Sequence, residues 1–216
     1  MAWIVSAVSQ KGGTRKTTLC RALAVAYANA GWDVMACDFD TQQTSFVDWA
    51  QDRITNGHTP VIEAKPYTDV AKAISENDDR DLVLLDGLPH GSSLALDIAK
   101  ASDLVLIPTG PSLDDLKPSV ILAHKLVKEG IPQDRIQFVV QGVSHTGAEV
   151  PEALDYLAQT GFHTNPNFLR TMPSYSKTRW VGLSVLEVPA PTLREEANKM
   201  VAGVIAHLER IHGITN

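Results

Sequence analysis

Ser9-Gln10-Lys11-Gly12-Gly13-Thr14-Arg15-Lys16-Thr17-Thr18 is the stretch that decides the fold of this chain. An apolar run, Ala2 to Val8, precedes it, and an apolar-periodic run, Leu19 to Trp32, follows it. The stretch therefore reads as a turn between a strand and a helix. Its glycines let the backbone fold tightly with N–H groups pointing inward. Such a nest at a helix N-terminus binds anions. Lys16 adds a point charge suited to a β- or γ-phosphate, and the Thr17 hydroxyl is placed to bind an accompanying Mg2+. A phosphate loop of the usual spacing has Gly where this chain has Gln10 and Arg15. Lys-Gly-Gly-x-x-Lys-Thr-Thr, with Lys11 ahead of the glycines, describes the stretch better.

A chain of 216 residues reads as a single domain, 1–216, with a core large enough to stand alone. The apolar fraction of 44% excludes a disordered chain. No apolar run approaches the roughly 18 residues of a membrane span. The N-terminus passes straight into the first strand without a signal peptide. Cys20 and Cys37 lie in apolar surroundings without metal spacing and read as buried thiols. These features predict a cytoplasmic protein with no stable membrane insertion. The net charge of −6 weighs against a general nucleic-acid binder. The charge is uneven, however: 163–180 holds Arg170, Lys177 and Arg179 with no acid, so a basic patch on an acidic body is expected.

Strand-like runs alternate with helical patterns. The strands read as Ala2–Val8, Asp33–Cys37, Pro60–Glu63, Leu82–Asp86, Leu104–Pro108 and Ile136–Val140. Most are continuously apolar, which indicates burial on both faces, as in a parallel sheet flanked by helices. Helices are expected at 16–30, 43–55, 67–76, 92–100, 112–129 and 148–160, with Ser112 and Asp115 as a capping pair for the fifth. After Gly161 the pattern loosens into a loop and short strand at His163–Leu169 and a short helix or turn at Pro173–Trp180. A last helix begins near Thr192, with Glu195 completing a capping box. Its stripe of Leu193, Ala197, Met200, Val201, Val204, Ile205, Leu208 and Ile211 reads as packing on the sheet. The class is α/β, a mostly parallel sheet flanked by helices.

Ligands of such sheets sit at the carboxyl ends of the strands. The second strand ends Cys37-Asp38-Phe39-Asp40-Thr41-Gln42, and alternation puts Asp38 and Asp40 on one side. A pair of acids there can hold Mg2+ through water and orient an attacking water. The fourth strand ends Leu84-Leu85-Asp86-Gly87, a lone acid after an apolar run, as on the metal side of phosphate-loop enzymes. Strand-end Asp also caps turns, and it is the order of both acid sites after the loop that favours the metal. None of the seven histidines forms a metal or nucleophile pattern, and only His90 falls near the site.

The Lys-Gly-Gly-x-x-Lys-Thr-Thr stretch resembles the deviant phosphate loop of the ParA/MinD ATPases. Asp-x-Asp-x-Gln followed by Trp49 resembles that family's Asp-x-Asp-Pro-Gln…Trp. Ile107-Pro108-Thr109-Gly110-Pro111-Ser112 is similar to its loop near nucleotide and dimer interface. Arg170…Gly182-Leu183-Ser184-Val185-Leu186-Glu187 resembles its closing segment. The resemblance implies a P-loop NTPase fold with ATP and Mg2+ as cofactors. It makes Lys11, Gly12, Gly13, Thr14, Arg15, Lys16, Thr17 and Thr18 the nucleotide site, and Thr17, Asp38 and Asp86 the metal side. Lys11, Lys16 and Asp40 then serve catalysis, with Asp40 positioning water. Three departures stand out. Arg15 replaces a Gly and is expected to point to solvent or a partner. Thr41 replaces a Pro, and Gln141 stands where many relatives have an Asn near the base.

The resemblance further implies an ATP-dependent homodimer in which Lys11 reaches the partner's phosphates. That dimer would bind nonspecific DNA over the nucleoid and position a plasmid, chromosome locus or other large cargo. A ParB-like protein or cargo adaptor would stimulate hydrolysis. Arg170, Lys177, Arg179, Arg194 and Lys199 are the candidate phosphate contacts on DNA, the alternative being solvated charges or core-edge salt bridges. The N-terminus leaves no room for a helix-turn-helix domain, so sequence-specific operator binding is not expected. Rival readings are a MinD-like membrane switch, a metabolic or redox ATPase, and a nucleotide-binding scaffold with little turnover.

Overall fold

Strands that must bury both faces need helices on both sides, and the chain supplies them alternately. The computed structural model describes residues 2–89 and 93–214. The elements run β1 (Trp3–Ser9), α1 (Lys16–Asn29), β2 (Val34–Asp38), α2 (Ser45–Thr55), β3 (Glu63–Pro66), α3 (Val70–Ser75), β4 (Leu82–Pro89) and α4 (Ser93–Lys100). They continue with β5 (Leu104–Thr109), α5 (Leu113–Lys128), β6 (Ile136–Val143), α6 (Val150–Ala158), β7 (His163–Thr164), β8 (Leu169–Arg170), α7 (Pro173–Arg179) and α8 (Pro191–Ile211). The sheet order is β3-β2-β4-β1-β5-β6-β7, with β8 pairing further along β6. Every pairing among the described residues is parallel.

Two apolar layers sandwich the sheet. One joins α1, α2 and α8 to Val5, Ala7, Leu82, Leu84 and Leu106. The other joins α3 to α6 to Val83, Leu85, Val105 and Ile107. Adjacent residues of one strand thus enter opposite layers, which is why the strands read as continuous apolar runs. The stripe of α8 is buried in the first layer.

Three local expectations are corrected. The third strand is Glu63–Pro66, not Pro60–Glu63, because pairing begins at Met35 with Glu63. Ile62 enters the core just before it, and the strand itself is a polar sheet edge that an apolar-run test overlooks. The last helix starts at Pro191 without a side-chain cap, and Glu195 pairs with Lys199 at 2.7 Å instead of closing a box. Ser112 stands at the start of α5, but its hydroxyl donates to Asp115 at 2.8 Å and caps no backbone N–H.

The closing segment is tied down by a buried cation. Arg53 of α2 is fully buried and donates two 2.8 Å bonds to the Glu187 carboxylate. It also donates to the carbonyls of Pro60, Thr59 and Gly182. Gly182 lies so close to the α2 backbone that a β-carbon would strike Arg53 and Asp52. Ser184 and Glu187 cap the turn between them reciprocally. The whole device places α7 beside the carboxyl edge of the sheet. Removing one partner of such a pair strands a buried charge. Glu187→Ala is therefore expected to lower unfolding free energy by about 3 kcal/mol in urea titration. A loss under about 1 kcal/mol would mean that the carbonyls alone satisfy Arg53.

Candidate functional site

The turn between β1 and α1 is built around one hydroxyl. Ser9 is buried at the end of β1, and its Oγ donates to the Lys11 carbonyl at 2.7 Å. The same oxygen accepts from Thr14 Oγ1 at 2.9 Å and Lys16 Nζ at 3.1 Å. Gly13 and Arg15 adopt left-handed φ values of 76° and 67°, which turn the chain into the helix. No side chain caps α1, and its first turn holds no acid, so its leading N–H groups are left for an anion. Lys16 is 7% exposed. Burial lowers its pKa, an effect that the nearby Asp86 carboxylate opposes.

The acids arrive by sheet register. Asp38 of β2 lies opposite Asp86 of β4, and Asp86 lies opposite Ala7 of β1. Asp86 has a pKa pushed up to about 7 by burial, against the Thr17 hydroxyl that hydrogen-bonds it. Its Oδ1 has no hydrogen-bond partner. Asp38 accepts from the backbone N–H of Asp40 at 3.0 Å and of Phe46 at 2.8 Å, so it also shapes the start of α2. Its pKa is raised by burial and held back by those bonds. Asp40 is half-buried, and one of its oxygens accepts from Gln43 N at 3.1 Å. Gly12, Gly13, Lys16, Thr17, Asp38, Asp40 and Asp86 line one cavity of ≈ 330 Å³.

A hydroxyl beside an orphaned buried carboxylate oxygen is a hard-oxygen donor set of the kind Mg2+ takes. Thr17, Asp38 and Asp86 fit that ion. Among the described residues no three His, Cys, Asp or Glu side chains form a metal cage by themselves. Phosphate oxygens and water would complete the shell, the usual arrangement for this cation.

Lys11 lies apart from the cavity wall. Its ammonium donates to the Asp114 carbonyl and to Asp115 Oδ1, the latter at 3.0 Å. Asp115, read from the sequence as a cap, is thus the lysine's holder. Arg15, expected to meet solvent or a partner, turns across its own chain and lines the cavity beside Lys16. Its guanidinium donates to Thr171 Oγ1 at 2.8 Å and lies over Gly142, where a β-carbon would collide with it. Gln141 is fully buried, and neither polar atom of its amide has a partner. His90 lies outside the described residues.

The five cations proposed as DNA contacts separate. Arg170 grips Glu196 through Nε at 2.6 Å and Nη2 at 2.5 Å, and donates to the His145 carbonyl. It is a core-edge salt bridge, because the strand β8 carries it against α8. Lys199 pairs with Glu195 on the surface. Lys177 and Arg194 are exposed. Arg179 is exposed too, but it lines the same cavity as Lys16 and the acids. Arg21 was not singled out in the sequence, yet it lines that cavity as well. Its signal was a charged residue inside an otherwise apolar helix.

The description that matches the chain is the CobQ/CobB/MinD/ParA nucleotide binding domain, over residues 5–210. No curated protein matches in sequence. Among solved structures, the cell division ATPase MinD of Pyrococcus furiosus is similar, with TM-score 0.76 and 19% identity over 95% of this chain and 99% of that one. The septum site-determining protein MinD of Pyrococcus horikoshii, solved with Mg-ADP, has TM-score 0.75 and 17% identity over 94% and 96%. A ParA family ATPase from Chlorobium tepidum has TM-score 0.63 and 17% identity over 93% and 98%. At these identities the three structures speak to fold, a parallel sheet flanked by helices.

Arg15 offers a direct test of the turn. A β-carbon in the left-handed region costs about 1–2 kcal/mol. Arg15→Ala keeps that strain and loses the Thr171 bond, whereas Arg15→Gly loses the bond and relieves the strain. The Gly variant is expected to be the more stable of the two by about 1 kcal/mol in urea unfolding. Equal midpoints would mean that residue 15 does not hold its left-handed conformation.

Proposed function

Because the chain belongs to the CobQ/CobB/MinD/ParA nucleotide-binding family, we propose that it is a Mg2+-dependent ATPase of the ParA/MinD kind. The observation that carries this reading is the convergence of Lys16, Thr17, Asp38, Asp40 and Asp86 on one cavity, at an uncapped helix start. The loop backbone and Lys16 bind the phosphates of ATP. Thr17, Asp38 and Asp86 would hold Mg2+, which would neutralise charge on the phosphates. Asp40 keeps one oxygen without a partner among the described residues, and that oxygen orients a water. The water oxygen bonds to the terminal phosphorus as the bond to the bridging oxygen breaks. The electron pair stays on ADP, and the water's proton leaves to phosphate or solvent. Lys16→Ala is expected to abolish ATP binding in a fluorescent-nucleotide titration. Asp40→Ala is expected to bind ATP and stall hydrolysis. Turnover of Asp40→Ala at the unmodified rate would remove its water-positioning role.

In its finer form the reading is a positioning switch on DNA. Two ATP-bound subunits close face to face, Lys11 leaves Asp115, and each Lys11 neutralises the partner's phosphates. Lys177 and Arg194, exposed and without partners among the described residues, are the cations still available to a DNA backbone. A ParB-like or adaptor protein would accelerate hydrolysis and release the dimer. The rival membrane switch would use an amphipathic helix, but the apolar face of α8 is already buried. No helix among the described residues is long and apolar enough to cross a membrane. Retention on random-sequence duplex DNA is expected with ATP and not with ADP, to fall with salt, and to vanish in Lys11→Ala. Absence of retention with either nucleotide would remove the DNA track and leave the ATPase reading intact.

A further inference from the structure

Two arginines that the proposed mechanism does not use face the nucleotide cavity. Arg21 projects from α1, five residues beyond Lys16, and is 4% exposed. One of its Nη atoms donates to the Ser45 carbonyl, but its buried Nε has no partner. Its guanidinium lies 5.3 Å from the Trp49 ring and 5.9 Å from the Phe46 ring. Arg179 ends α7; its carbonyl accepts from Gly182 N–H at 3.3 Å, and its guanidinium has no hydrogen-bond or ion-pair partner among the described residues. Both line the cavity that holds Lys16 and the acids. Both also line a smaller one of ≈ 210 Å³ along α7, which Arg15 and Arg170 share and no acid enters.

Two guanidinium groups on one cavity wall repel each other. Burial depresses the Arg21 pKa to about 10, with Arg179 the next cause, ahead of the attraction of Asp86 or Asp38. The fold maintains this arrangement at some distance: α7 is held by the Arg53–Glu187 pair and by Tyr175, whose hydroxyl donates to the Leu193 carbonyl at 2.6 Å. A planar fork with unused donors matches phosphate oxygens in geometry and charge. An anion in the cavity would turn the repulsion into a shared attraction.

We infer that Arg179, with Arg21 behind it, is a phosphate ligand supplied in cis, contacting the phosphate chain of the triphosphate bound at the loop. The inference rests on the nucleotide reading of the cavity and adds a residue to it. Arg179 touches the phosphates and stabilises charge as it shifts onto the diphosphate leaving group, exchanging no proton. Arg21 is a positioning residue that keeps the wall cationic where α1, α2 and α7 meet. Arg179 is thereby a nucleotide residue rather than a DNA contact, and α7 is the element through which bound triphosphate is felt by the closing segment.

The test is titration of the full chain with fluorescent ATP and ADP in Mg2+, together with single-turnover hydrolysis and DNA retention. Arg179→Ala is expected to weaken ATP binding about tenfold or more and ADP binding less, and to slow turnover. Arg179→Lys, which keeps charge and loses the fork, should recover part of the loss. Arg21→Lys, which preserves charge in a buried place, should show a smaller loss of ATP affinity with an unchanged thermal melt. Arg179→Ala with ATP affinity and turnover of the unmodified chain would overturn the inference, and so would a variant that loses DNA retention alone. Failure of the unmodified chain to bind ATP would instead overturn the nucleotide reading itself, before any variant is made.

Discussion

The register of three parallel strands governs the site. Pairing Asp38 with Asp86 across β2 and β4, beside Ala7 of β1, puts two carboxylates at the sheet edge next to the turn that carries Lys16. All three charged groups are less than a tenth exposed. Buried charge is costly unless paired or hydrogen-bonded. Asp38 meets that demand with two backbone N–H groups, Lys16 with Ser9, and Asp86 only in part. The carboxyl group of Asp86, with its pKa near 7 and one unpartnered oxygen, is the least satisfied of these three. A divalent ion beside phosphates would satisfy it, so binding and relief of electrostatic cost are one event.

A second constraint acts from outside the sheet. Arg53 and Glu187 are 134 residues apart, and their pairing brings the closing segment over α2. Gly182 permits the close approach, and the reciprocal cap of Ser184 and Glu187 aims the carboxylate. None of these residues lines the cavity that holds Lys16 and the acids, yet they anchor the segment that follows α7. The closing motif is therefore structural in its own contacts and functional in what it positions.

What could be read from the sequence follows from how local each signal is. The turn at Gly12 and Gly13, the acids Asp38 and Asp86 after their apolar runs, and the doubly buried strands depend on neighbours within a few residues, and they were legible, although β4 runs on past Asp86 to Pro89. The edge strand at Glu63–Pro66 was displaced because three of its four residues are exposed and leave no apolar pattern. Arg15 was expected to meet solvent or a partner, whereas its guanidinium meets Thr171, 156 residues away in its own chain. Arg170 and Arg179 are nine positions apart in one acid-free stretch, and composition cannot separate them. Glu196 claims the first from α8, and the second ends a helix whose placement rests on Arg53.

Lys11 is held lightly, by the Asp114 carbonyl and the Asp115 carboxylate. Its bond to Asp115 joins side chains 42% and 33% exposed, and an ion pair so wet is worth less than about 1 kcal/mol. Asp115 nevertheless has a lowered pKa: burial pushes it up, and the bonds from Lys11 and Ser112 more than reverse this. The carboxylate would keep Ser112, and feel Arg15, after the lysine left. Neither partner is thus stranded by the exchange that the proposed dimer requires. A deeply buried pair such as Arg53 with Glu187 could not part on those terms. The buried pair fixes geometry, whereas the half-exposed pair would let Lys11 change partners as the proposed dimer requires.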